Sequence, residues 1–357
     1  MIDDRWWRQL LPATVRQATE PVYHYTSPAG LLGLVEHHEL WASEAAAMND
    51  VAEVRQGWRF IRDWVSRRKG DRRTRGVLEL IASHAAMSEA DESPLGYLGT
   101  SPEGVYMCCA STRVDDANQW RLYGAEGRGY AVELNPLVNL RAVVPGARPP
   151  ALVDSYVDDE GRAHSFVLPS DTVEVSPWLH VLYADEEKSE ALAGLVDGAS
   201  EELASVEVLG ARAGSDDGEY YRAHEDLLTV VGQDLARLAQ LMKSPGFAGE
   251  DEVRVLAVDA RREEDSTRAA RFRSTPFGVA RYVPLSASPK FAADDAEPYI
   301  DPRATLYEHD EDRQLPITAV RLGPLIRADN NQSTVRALLT SAGYIGCALE
   351  VSDIPLR

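Results

Sequence analysis

Cysteine is scarce in this chain of 357 residues: Cys108 and Cys109 are adjacent and Cys347 stands alone. Three thiols so spaced exclude a disulfide framework and a cysteine-built metal site. They fit small buried side chains in a reducing compartment, so the cytoplasm is the expected location. Long hydrophobic runs are missing as well. None approaches the roughly 18 apolar residues that span a bilayer, and the opening MIDDRWWRQL places Asp3 and Asp4 where a signal peptide would be basic. No membrane partner is expected. Positive charge is in short supply: 37 Lys and Arg face 57 Asp and Glu, a formal net charge of −20. That balance argues against sequence-independent binding of duplex DNA, which depends on neutralising phosphates. Four common catalytic signatures are also absent: the P-loop, GxGxxG opening a helix, GxSxG and HExxH. What the chain does have is 44% hydrophobic residues and 8% aromatics, enough for a sizeable core.

The order of patterns predicts an α+β protein. Residues 1–21 read as an N-terminal helical lead-in and 22–357 as a single α+β domain. Within it a loop excursion is expected at about 145–172 and a helical insertion at about 185–245. Val22 to Thr26 forms a strand by composition. Ser27 and Pro28 then cap and open a helix whose apolar stripe is Leu31, Leu34 and Val35. Trp58, Ile61 and Val65 recur at helical spacing, with Asp50 and Glu53 as a capping box. VYMCCAST reads as a buried strand, Asp115 to Gly124 as a short helix, and Val173 to Tyr183 as one strand. Val231, Leu235, Leu238 and Met242 mark the longest helix. Strands EVRVLAVD, RFRST, GVARYVPL and ITAVRLG follow, and a last helix is expected over Ser333 to Ala342.

Four constellations carry possible chemistry, each beside a plain structural reading. Period two puts His24 and Thr26 on one face at the end of a strand, where they suit a sugar hydroxyl. The helix start that follows offers amides to a pyrophosphate. Equally, they form a satisfied core histidine and a turn residue. Glu252 and Arg254 share a strand face; Glu252 suits a ribose hydroxyl and a developing cation, or a Glu–Arg pair on a solvated edge. Asp116, Trp120 and Tyr123 fall on one helical side, as a stacking surface for a base or as core. Asn49 is available to a ligand beside the capping pair. A basic island at 67–75 offers nucleic acid, other phosphates or a protein its only positive surface, or is a solvated helix end.

The series of motifs resembles a bacterial domain family of unknown function, DUF2971. Its elements here are HYTS, a Gly-Leu helix running into LWAS, MND with Glu53, and CCAST. Then come Gln119-Trp120 with Tyr123-Gly124, GYAVE, and Lys243, Phe247, Glu250, Glu252 and Arg254. RLGP and an ending with Ser352, Ile354 and Pro355 complete it. The opening His-x-Thr strand is similar to the first motif of ADP-ribosyltransferases of the DNA-modifying toxin and RNA 2′-phosphotransferase kind. That resemblance implies a split antiparallel sheet with helical insertions and NAD as substrate, with no metal. His24 and Thr26 would hold the adenosine ribose, and Tyr123 or Tyr25 would stack on nicotinamide. Glu252 would be the catalytic carboxylate, and Arg254 or Arg121 would lie near the pyrophosphate.

The leading expectation is therefore an NAD-using ADP-ribosyltransferase or NAD-glycohydrolase-like enzyme. Its acceptor would be a protein or small molecule, and the setting implied is phage defence or a toxin. The second is a catalytically inactive nucleotide-binding sensor or interaction module. The third is a metal-dependent nuclease using carboxylates such as Asp50, Glu53 and Glu133.

Overall fold

The computed structural model describes residues 14–44, 51–68, 70, 74–90, 105–144, 152–157, 163–167, 173–213, 218–259, 270–275, 278–287, 306–307 and 312–355. In chain order the first elements are β1 (Val22–Thr26), α1 (Pro28–His37), β2 (Leu40–Glu44), α2 (Val51–Ser66) and α3 (Arg75–Ala90). There follow β3 (Val105–Ser111), α4 (Ala117–Leu122), β4 (Tyr130–Leu134), β5 (Arg141–Val144), β6 (Leu152–Val157), β7 (Ala163–Val167), β8 (Val173–Val175) and β9 (Leu179–His180). Two long helices, α5 (Asp185–Ala213) and α6 (Gly218–Leu241), precede β10 (Glu252–Asp259), β11 (Arg271–Thr275), β12 (Gly278–Ser286) and β13 (Leu306–Tyr307). The described chain closes with β14 (Ile317–Leu322), α7 (Ala328–Ser341) and β15 (Ala348–Val351). The class is α+β, and no described helix is long and apolar enough to cross a membrane.

The sequence reading treats 22–357 as one domain; the contacts of the chain fall into two compact units. The first comprises Met1–Ala18, Glu44–Val105 and Trp178–Arg254, and the second Thr19–Ser43, Tyr106–Pro177 and Val255–Arg357. The first unit is built on helices. Trp58, Ile61, Trp64 and Val65 of α2 and Val77, Leu78 and Ile81 of α3 meet Leu192 and Leu195 of α5 and Val231, Leu235 and Leu238 of α6. Three-and-four spacing made α2 and α6 legible, and one buried stripe on each of the four helices holds them together. Gly57 shows how closely α2 and α6 approach: a Cβ there would lie 2.2 Å from the carbonyl oxygen of Ala239.

The second unit is built on a large open mixed sheet with strand order β13-β5-β12-β2-β3-β1-β4-β14-β15. Most neighbours are antiparallel, but β13 runs parallel to β5 and β14 parallel to β15. β1 pairs with β4 along its whole length, from Val22↔Leu134 to Thr26↔Tyr130. It meets β3 at Tyr23↔Ser111. On α1, Ser27 caps by accepting the Gly30 N–H, and Leu31, Leu34 and Val35 are buried, as their spacing predicts.

Four expectations change. Residues 14–20 of the lead-in are not helical: Gln17 bridges Leu179, and the Ala18 N–H donates to the Trp178 carbonyl. A short strand partner there outweighs the helix pattern. The 173–183 stretch is two strands rather than one, β8 and β9, because Pro177 lies between them and has no N–H to donate. The 145–172 excursion holds a hairpin, β6 paired antiparallel with β7. The last helix starts at Ala328, earlier than Ser333. The expected capping residue Asp50 and Asn49 lie outside the described residues, as do Lys69, Arg72 and Arg73 of the basic island.

Candidate functional site

The residues singled out in the sequence divide between the units. Glu252 and Arg254 belong to the first, and His24, Tyr25, Thr26, Arg121 and Tyr123 to the second.

In the first unit, the Lys–Phe–Glu–Glu–Arg motif is one cluster. Arg254 grips Glu252 in a fork, with Nε 2.8 Å from Oε1 and Nη2 2.9 Å from Oε2. Its Nη1 donates to the main-chain carbonyl of Gln240. The Lys243 ammonium donates to Glu252 Oε2 at 3.0 Å and to Glu250 Oε2 at 2.7 Å, and lies 4.8 Å from the Phe247 ring centre. Glu252 is only 8% exposed. This is a buried, hydrogen-bonded ion cluster rather than the solvated edge pair that the sequence allowed. Geometry of this kind offsets the cost of desolvating the charges. Both Glu252 oxygens are engaged by cations of its own unit.

In the second unit the local geometry of β1 decides what its side chains do. Beyond Tyr23↔Ser111, the His24 Nδ1 lies 2.9 Å from the Cys109 carbonyl. A carbonyl only accepts, so Nδ1 carries the proton and Nε2 keeps its lone pair in the neutral ring. The His24 pKa is lowered, first by burial and then by Arg273, while the bond to Cys109 opposes the shift. Burial pushes the neighbouring Cys108 thiol up to about 12, with Arg273 pulling the other way. Thr26 ends the strand against α1, where a Cβ on Gly30 would lie 2.0 Å from its Oγ1. Gly30 is thus the residue that admits the Thr26 hydroxyl to the helix start.

Arg273 is the residue that the sequence reading missed. Its Nη2 donates to Ser43 Oγ at 2.6 Å. Among the described residues no carboxylate pairs with it, and its buried Nε has no hydrogen-bond partner. Arg271, two residues earlier, is matched by buried Glu39 at 3.3 Å. Strand register explains the placement: Arg271 faces Tyr282 and Tyr282 faces Ser43, so alternation puts Arg271, Arg273, Ser43, Tyr282 and Trp41 on one side. Trp41 and Tyr282 stack with ring centres 4.6 Å apart, and Trp41 keeps 38% of its surface exposed.

The other candidates lie elsewhere in the second unit. Tyr25 is buried edge-on against Trp120 at 4.9 Å. Its hydroxyl donates to the Arg113 carbonyl and accepts the Asp116 N–H, so the ring is committed to the core. Asp116, Trp120 and Tyr123 do not share a side of α4. Asp116 is its N-cap, Trp120 is fully buried, and Tyr123 is 47% exposed at the helix end. A six-residue helix is too short for periodicity to fix which face is buried. Arg121 is exposed in the last turn. Glu133 accepts the Thr318 hydroxyl at 2.6 Å. Among the described residues no group of three His, Cys, Asp or Glu could hold a metal ion.

His24 shares its lowered pKa with His38 and His180, where burial is also the largest cause. Each binds a proton more readily in the unfolded chain, whose value is near 6.5. Stability is therefore fully present above that pH and is lost as pH falls toward the lower folded values. Urea midpoints are expected to fall between about pH 7 and pH 5.5, with a shallower slope in His24→Gln. A flat profile in the wild type contradicts this.

Compared with protein-family models, curated proteins and solved structures, the chain gives no match.

Proposed function

We propose that the chain binds a nucleotide of the NAD class on the face of the second unit that carries His24, Thr26, Ser43 and Arg273, and holds it without transferring ADP-ribose. One observation carries this reading: Arg273 bonds to Ser43 and has no carboxylate partner among the described residues, although Arg271 on the same strand has Glu39, and its charge acts on the His24 imidazole. Its Nε is buried without a hydrogen-bond partner, which is costly, and a pyrophosphate supplies oxygens to the half-buried guanidinium. The His24 Nε2 lone pair then accepts a ribose hydroxyl, and the exposed side of Trp41 offers a surface on which a base stacks. Arg273 takes the place that the family resemblance gives to Arg254 or Arg121.

The second half of the reading follows from Glu252, whose carboxylate is engaged by Arg254 and Lys243. Stabilising an oxocarbenium ion would require it to give up those partners. The test is calorimetric titration of NAD with parallel chromatography for free nicotinamide. Saturable binding and no nicotinamide are expected. Release that disappears in Glu252→Gln would establish NAD cleavage at that glutamate instead, by a transferase or a glycohydrolase. Absence of both heat and release would remove NAD as the ligand.

A further inference from the structure

We propose that a cleft between α2 and α3, in the first unit, binds a phosphate monoester carrying a small aromatic or apolar group. The cleft measures about 490 Å³ and is lined by Arg62, Arg68 and Arg75, with Glu79 as its acid and Val65 and Leu78 on its apolar wall. That volume lies in the range of small-molecule sites, roughly 300–1,000 Å³. Among the described residues three arginines and one glutamate line it, in a chain whose net charge is −20.

Arg68 is the anchor. Its guanidinium lies 3.7 Å from the centre of the Trp64 ring. Stacking uses the flat face of the group and leaves its N–H edges for an oxyanion, while fixing its orientation before a ligand arrives. Arg75 opens α3, so the positive end of that helix adds to the potential at the same place. The apolar wall explains why an ester fits better than bare phosphate: Val65 and Leu78 give its organic part a surface to cover. A nucleic acid fits less well. It would bring many phosphates to a strongly acidic molecule, whereas one phosphoryl group is matched by this cleft alone.

The inference is independent of the nucleotide reading, and phenyl phosphate separates the two. Calorimetry is expected to show one saturable site in the wild type, with inorganic phosphate and phenol each bound more weakly. Arg68→Ala with Arg75→Ala should lower the affinity at least tenfold, and Arg68→Lys, which keeps the charge but not the flat stack, should lose most of it. Glu79→Gln, a change at an exposed helix position, should tighten binding several-fold; Arg273→Ala should leave it unchanged. Equal affinity in the double variant, no tightening in Glu79→Gln, or loss in Arg273→Ala would each overturn the proposal. Tighter binding of a short RNA that depends on Arg68 and Arg75 would also overturn it, by giving the cleft to a polyanion.

Discussion

Arg254→Met is expected to lower the stability of the first unit by about 3–5 kcal/mol, the range for breaking a buried ion pair on one side. The substitution is close in volume, so the loss is electrostatic. Glu252 would keep Lys243 but lose the two bonds from Arg254, and the Gln240 carbonyl would lose its donor. Lys243→Met should behave alike, since it strips Glu250 and Glu252 together. Guanidinium midpoints followed by far-UV circular dichroism measure both. A triple replacement that turns Glu252, Arg254 and Lys243 apolar should recover much of the loss, because a whole buried cluster exchanged for packed hydrocarbon is often neutral. A loss below about 1 kcal/mol in the single variants would mean a solvated pair, as at a surface, and would free Glu252 for chemistry.

Trp120→Ala is expected to cost a similar amount, about 3–5 kcal/mol, but in the second unit. Trp120 is fully buried, packs edge-on against Tyr25, and donates its indole N–H to Asp115 at 2.6 Å. The same Asp115 accepts the Ser352 hydroxyl at 2.7 Å and the Asp353 N–H at 3.0 Å, so it ties the end of the described chain to α4. Removing the indole opens a cavity and leaves that carboxylate oxygen one donor short. Trp120→Phe should recover most of the packing and none of the N–H bond, for a loss of about 1–2 kcal/mol. Were Trp120 a stacking surface for a base, alanine would weaken ligand binding and spare the melting point. Thermal melts of the three proteins decide between these.

Local patterns in the sequence were enough for much of this architecture. The Ser27-Pro28 start of α1, the stripes of α2 and α6, and the apolar runs of β3, β10 and β14 are fixed by residues within one or two turns or strands of each other. Of the ion cluster only the Glu252–Arg254 pair was legible: Lys243 and Glu250 join it through the 3₁₀ segment Pro245–Glu250 between α6 and β10. Arg273 and Ser43 were not legible. They are 230 residues apart, and their meeting depends on the registers of β11 with β12 and β12 with β2. Parity puts both β11 arginines on one side, and their position along the strand gives Arg271 to Glu39 and Arg273 to Ser43. For Tyr25 and Trp120 the sequence leaves core and ligand surface open for a different reason. Their composition suits either a core or a ligand surface, and only the pairing of β1 with β4 and the cap at Asp116 choose between them.

The central claim is that the ligand site belongs to the His24–Arg273 face and that Glu252 belongs to the scaffold. The most direct measurement is the NAD affinity of Arg273→Ala against that of Glu252→Gln, by calorimetry at a temperature where both melts show a folded protein. The account predicts a loss of at least about tenfold, or roughly 1.4 kcal/mol, in Arg273→Ala and an affinity close to wild type in Glu252→Gln. Unchanged binding in Arg273→Ala together with a loss in Glu252→Gln would contradict it and return the site to the glutamate.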